Sequence, residues 1–357
     1  MNIRKQRKIE HLNIASCTAD GPCTSGLEDV QLINNSIPEI DLNEVSAKSS
    51  FLGKTLEYPV IINALTGGTD EAYTINLELA RLAVKYGLGM AAGSQQIALE
   101  DPKVKNTFAI IREINPDGLV LANLSASASI GDVKEAVDML AADAIQLHFN
   151  VPQELAMPEG ERTFKGILNN VGRIADSLSV PIIAKEVGFG FSREAVDELF
   201  AAGVRVFDIA GKGGTNFIKI EDQRKGLFQG EFDDWGISTA SSLAEIVALK
   251  LPITIIASGG IREAMDAGKA LALGADLVGI AAPFLKALLN GGTEMLENMT
   301  NDLLYRLRAL FLMAGAQSCQ QMRSCPVVIT GKTAEWLRAR NIDPQSWAQR
   351  KPNILHK

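Results

Sequence analysis

Histidine is scarce in this 357-residue chain: only His11, His148 and His356 occur, so chemistry needing an imidazole in the middle of the chain has one candidate. Cysteine is equally thin. Cys17, Cys23, Cys319 and Cys325 form two loose pairs with no CxxC spacing and no partnering histidine, which argues against structural zinc and a disulfide framework. Reduced thiols are the simpler reading. Positive charge is also in deficit. Thirty-five Lys and Arg face 42 Asp and Glu, and a net charge of -7 speaks against general nucleic-acid affinity, although local basic clusters can still hold small anions. No run of eighteen apolar residues appears, and the charged start MNIRKQRKIEHL lacks the apolar core of a secretory signal. No membrane association and a cytoplasmic location are therefore expected. What is present, 46% hydrophobic and 22% charged residues, is globular material sufficient for a large core.

Short apolar runs alternate with helical patterns along the chain. Strands are expected at 59–64, 88–93, 118–123, 143–149, 180–186, 204–210, 253–259 and 275–281. The segments between them, such as VKEAVDMLAA and REAVDELFAAG, repeat their apolar residues at helical spacing. Eight continuous apolar strands, each followed by a helix, imply a parallel sheet covered on its outer face. The expected fold is α/β, a single (β/α)8 TIM barrel over 59–293. An N-terminal extension over 1–58 precedes it, and a C-terminal helical segment over 294–357 packs on it. An open doubly wound sheet is the alternative, but NALTGGTDEA after the first strand lacks the GxGxxG spacing such sheets use for nucleotides. The connection 211–237 is long for a barrel loop and has the composition of a lid or binding element.

In such barrels functional groups gather at the carboxyl ends of the strands. The densest cluster follows the fourth strand, where QLHFNVPQELAMPEGERTF brings His148, Asn150, Gln153 and Glu154 within seven positions. Lys185 stands inside the apolar run IIAKEVG, where an amine is desolvated unless an anion meets it. Glu186 cannot serve, because adjacent strand residues face opposite ways, so a bound anionic ligand is the expected partner. Gly259 and Gly260, opening the segment IREAMDAGKALAL, offer backbone N–H groups suited to phosphate. Thr66, Ser94 and Asn123 end the first three strands and suit hydrogen bonding to a planar heterocycle. Together these residues suggest a phosphorylated, ring-bearing cofactor, with FMN the first candidate. At the amino end, RKQRKIEH sets Arg7, Lys8 and His11 close together, a pattern able to close over a polyanion.

The segments RKIEH, INALTGG, AAGSQ, ANLS, QLHFNVPQELAMPEGERTF, IAKEVGFG, GKGGTNF, WGISTA, ASGGI and FLKAL occur in that order over nearly the whole chain. In this the chain resembles the type 2 isopentenyl-diphosphate isomerases, FMN-dependent barrel enzymes of isoprenoid synthesis. The resemblance implies a 1,3-allylic proton shift from isopentenyl diphosphate to dimethylallyl diphosphate, with reduced FMN as acid and base and NADPH needed only to reduce it. It implies Arg7, Lys8 and His11 on the substrate diphosphate and Glu154 on a Mg2+ that bridges to it. Gln153, the implied catalytic residue, would lie against the reacting isoprenoid, with His148 and Asn150 shaping the same wall. Ala64, Leu65, Thr66, Ser94, Asn123, Lys185, Thr215, Gly259, Gly260, Ile261, Ala281 and Ala282 would contact FMN. Where many relatives have Ala-Gly at the end of the eighth strand, this chain has Ala281-Ala282 and then Pro283, so a tighter flavin phosphate site is expected. A homo-oligomer, tetramer or octamer, is likewise implied. The alternative is an FMN-dependent barrel oxidoreductase of another substrate. Against it, no histidine lies between 148 and 356 to serve hydroxy-acid oxidation, and 211–237 holds no cysteine of the inosinate-dehydrogenase kind.

Overall fold

The computed structural model describes Glu10, Ile14 and residues 23–225 and 227–351. Eight parallel strands close into a barrel: β4 (Val60–Ile62), β5 (Gly89–Ala91), β6 (Val120–Ser125), β7 (Ala144–Phe149), β8 (Ile182–Glu186), β9 (Val206–Asp208), β10 (Thr254–Ser258) and β11 (Leu277–Ile280). Seven lie inside their expected runs, β6 extends two residues past its run, and β11 returns to pair with β4, completing the ring. The strands are apolar on both faces because one face lines the barrel and the other meets a helix. Several helices start where a hydroxyl satisfies a first free N–H group: Thr69, Ser129, Ser192 and Ser238 each accept from a backbone nitrogen three residues on.

Four short strands were not anticipated. β2 (Ser49–Phe51) and β3 (Lys54–Leu56) form a hairpin through Leu52 and Gly53, both at positive φ, the backbone a two-residue turn of this kind requires. Its Phe51 and Leu56 pack against Ile61, Leu119, Ile183 and Ile256, and so plug the amino-terminal mouth of the barrel. β1 (Val30–Leu32) pairs antiparallel with β12 (Val327–Ile329), tying the segment before the barrel to the one after it. The helix Ala282–Met313 starts at the end of β11 and runs across position 294, with a break at Gly291 and Gly292. The long connection after β9 is not a bare loop; it carries the helix Phe217–Lys225. Among the described residues no helix is long and apolar enough to cross a membrane. Cys23, Cys319 and Cys325 are free thiols, and burial pushes them up to about 11, 12 and 11 respectively.

Candidate active site

Inside the barrel, near the carboxyl ends of its strands, the filling changes from aliphatic to polar. Asn63, Asn123, Gln146, Lys185, Asp208 and Ser258 are all buried there. Strand register explains the grouping: Asn123 lies level with Gln146, His148 with Lys185, and Lys185 with Asp208. One hydrogen-bonded chain results. His148 Nδ1 meets Asn123 Oδ1 at 2.9 Å, Asn123 Nδ2 donates to Gln146 Oε1 at 3.0 Å, and Gln146 Nε2 donates to Asn63 Oδ1 at 3.0 Å. Asn63 Nδ2 then donates to Asp208 Oδ2 at 2.6 Å, while Ser258 Oγ donates to the other oxygen of Asp208 at 2.5 Å.

Lys185 closes this chain. Its Nζ lies 3.0 Å from Asp208 Oδ2, with the two side chains 10% and 0% exposed. Asp208 of the neighbouring strand thus supplies an anion for Lys185, a partner within the protein that the sequence reading, which looked to a bound ligand, did not name. Asp208 follows the apolar pair Val206-Phe207 as Lys185 follows the apolar run Ile182-Ile183-Ala184, each a charge set directly after buried apolar strand residues. That shared signature would have paired them, since β8 and β9 adjoin. Asn123 engages Gln146 and His148 through its amide, which still has a second N–H and a second oxygen lone pair. Thr66 differs. Its Oγ1 is buried with no partner among the described residues, which leaves a hydroxyl for a ligand.

Beyond the strand ends, the loops after β9 and β10 lie one on the other with no room for side chains. A Cβ on Gly259 would stand 2.1 Å from Gly211 O, and one on Gly214 would stand 2.6 Å from the Gly260 nitrogen. Gly259 and Gly260 have φ of 95° and 75°, values that favour glycine. Thr239 Oγ1 donates to Gly259 O at 2.6 Å, and Arg262 Nη1 donates to Gly260 O at 2.8 Å, which hold the turn. Ala281 and Ala282 are half-buried at the start of the helix after β11.

The segment after β7 forms the second wall. The short helix Val151–Ala156 carries Gln153 and Glu154, both half-buried like His148 and Asn150. Glu154 Oε1 accepts from Asn150 Nδ2 at 2.7 Å and Oε2 from the Glu161 nitrogen at 2.8 Å. Gln153 Nε2 donates to Glu221 Oε1 at 3.2 Å, and Glu221 is fully buried on the helix Phe217–Lys225. Arg224 binds the other Glu221 oxygen at 2.5 Å and reaches Glu10 at 2.7 Å and Glu159 at 3.5 Å. Burial opposes its charge, and Glu10 and Glu221 more than offset that, holding the guanidinium above its ordinary range. Glu221 and Arg224 escaped the sequence reading because that stretch looked like an irregular loop. Arg7, Lys8 and His11 lie outside the described residues. Among the described residues no three His, Cys, Asp or Glu side chains converge as a metal-holding group.

Glu186 faces away from Lys185 and accepts from the Val187 and Phe189 nitrogens at 3.0 and 3.2 Å. Burial pushes its carboxyl from 4.5 up to about 8, against the pull of those donors and of Lys185. Between those values the folded chain keeps a proton that the unfolded chain has released. The contribution to stability is thus complete below about 4.5 and is lost as pH rises through about 8. Denaturant midpoints should fall from pH 5 to 9, and Glu186→Gln should remove that part of the fall; a variant with the parent's profile would refute the assignment.

A family model described as FMN-dependent dehydrogenase matches residues 128–328. An isopentenyl-diphosphate delta-isomerase of Moorella thermoacetica is 46% identical over 337 residues, 94% of this chain and 97% of its own length. Its counterpart from Symbiobacterium thermophilum is 45% identical over 361 aligned positions, covering 98% and 99%. Among solved structures, the lactate oxidase of Pediococcus acidilactici superposes with a TM-score of 0.68 at 18% identity, covering 93% of this chain and 95% of its own. A mandelate oxidase mutant with a monooxide FMN adduct gives 0.64 at 19%, covering 90% and 92%. At such identities the two structures speak for the fold alone.

Proposed function

The chain belongs to the isopentenyl-diphosphate delta-isomerases within the FMN-dependent dehydrogenase family, and from that premise we propose that it converts isopentenyl diphosphate to dimethylallyl diphosphate. The observation that carries this reading is the near-full-length identity to relatives bearing that name. The residues present fit FMN. Thr66 offers a buried hydroxyl with no partner among the described residues, and Gly259 and Gly260 form a backbone turn closed to side chains. Ala64, Leu65, Thr66, Ser94, Asn123, Lys185 and Thr215 would hold the flavin, with Gly259, Gly260, Ile261, Ala281 and Ala282 at its phosphate. Bound and reduced, FMN would supply the acid and base for the 1,3-allylic proton shift, with NADPH serving only as its reductant.

The protein's own part is positioning. Asn123 holds His148 at 2.9 Å and so fixes the wall that would face the flavin. Gln153, fixed through Glu221, would lie against the reacting isoprenoid; an amide is a poor acid or base at neutral pH, so it orients the substrate rather than moving the proton. Glu154, aligned by Asn150, would carry Mg2+ on the substrate diphosphate, an arrangement in which one carboxylate and substrate phosphates suffice. Arg7, Lys8 and His11 would grip the same diphosphate. We place the enzyme in the cytoplasm as a homo-oligomer, a tetramer or octamer.

The test is an anaerobic assay of isopentenyl diphosphate with chemically reduced FMN, Mg2+ and no nicotinamide. Turnover is expected. Strictly stoichiometric NADPH consumption, or oxidation of another substrate with no action on isopentenyl diphosphate, would overturn the reading in favour of a barrel oxidoreductase. For Lys185→Ala we expect flavin affinity weakened by about tenfold or more, read from the visible spectrum after gel filtration. A variant that stays fully yellow would count against a flavin role for Lys185.

A further inference from the structure

At the opposite end of the barrel from this site, a cavity of about 390 Å³ opens beside the start of β10 and the end of the helix Thr239–Ala248. One part of its lining is aliphatic, with Val247, Ile253 and Ile255; another part is cationic, with Lys250, Arg323 and Arg350. Among the described residues only one of these cations is neutralised by an acid. Arg323 pairs with Asp276, whose second oxygen accepts from the Ile255 nitrogen at 2.8 Å. Arg350 donates to the carbonyl oxygens of Ala272, Arg323 and Leu273, and among the described residues it meets no carboxylate. Burial, and then the neighbouring Arg323, push its guanidinium down to about 10, the direction a bound anion would reverse.

We propose that this cavity binds an oxyanion carrying a short hydrocarbon chain, the oxyanion against Arg350, Arg323 and Lys250 and the chain along Val247, Ile253 and Ile255. The volume lies in the range of small-molecule sites. A bare anion would leave the aliphatic wall uncovered, and a bare hydrocarbon would leave two cations without a counter-charge; an amphiphile satisfies both. Guanidinium groups match phosphate and carboxylate oxygens alike, so the chemistry is shared by alkyl phosphates and alkyl carboxylates.

Isothermal titration calorimetry of the full chain tests this with hexyl phosphate, hexanoate, inorganic phosphate and 1-hexanol. Hexyl phosphate should bind at least about tenfold more tightly than inorganic phosphate or 1-hexanol. Hexanoate binding more tightly than hexyl phosphate would identify the carboxylate as the source, and weaker binding would identify the phosphate ester. Arg350→Gln should weaken hexyl phosphate by about tenfold and Lys250→Glu by about fivefold, with unchanged KM for isopentenyl diphosphate in both. Because Arg350 also holds the carbonyls ending the helix Ala264–Leu273, the exposed Lys250 is the safer variant for folding. Unchanged affinity in Lys250→Glu, or hexyl phosphate binding no tighter than phosphate, overturns the proposal.

Discussion

Glu154→Gln should lower turnover of isopentenyl diphosphate by about a thousandfold while the bound flavin remains. The substitution keeps the shape and removes the charge. In the parent the two Glu154 oxygens accept from Asn150 Nδ2 and the Glu161 nitrogen, so both neighbours are donors. Glutamine turns an NH2 toward one of them and offers no charged oxygen to a divalent cation. The flavin residues proposed for the strand ends and glycine turns are untouched, so the visible spectrum should not change. Measuring kcat and the spectrum on one sample separates the outcomes. Activity within threefold of the parent would remove the metal role, and a colourless protein would mean that Glu154 acts through the flavin site.

Asp208→Ala should be the most destabilising single change in the barrel interior, by about 3–5 kcal/mol, because it leaves the Lys185 cation buried without its partner. Ser258 and Asn63 lose their common acceptor at the same time. Flavin should be lost together with stability, since Lys185 would no longer be held at the end of β8. Asp208→Asn keeps the size and one acceptor oxygen and should cost less. Denaturant midpoints and flavin content of the two variants are the measurement; a loss below about 1 kcal/mol for Asp208→Ala would show that Lys185 finds another anion.

Much of the architecture was legible in the chain because the period of its apolar residues is a local property. The run VPIIAKE reads as a strand wherever it lies, and β8 occupies it. The hairpin β2–β3 was not legible. Its strands are three residues each, and its purpose, plugging the barrel, appears only once the barrel exists. At the site, Lys185 announced a need for an anion through its burial but not which anion. Glu221 gave no signal, because a glutamate in a charged, glycine-rich stretch ordinarily faces water, whereas here it is fully buried between Gln153 and Arg224.

By itself, then, the sequence determined the eight strands, their helices and the strand ends at which polar groups collect, since periodicity and strand direction decide these over a few residues. Only the tertiary structure decided which groups meet. Asn63 and Asp208 are 145 positions apart, Gln153 and Glu221 are 68 apart, and Asn123 and Gln146 are 23 apart. Those contacts depend on barrel closure and on the register between strands. Neither is written into any single segment, because both arise from fitting all eight strands around one shared core.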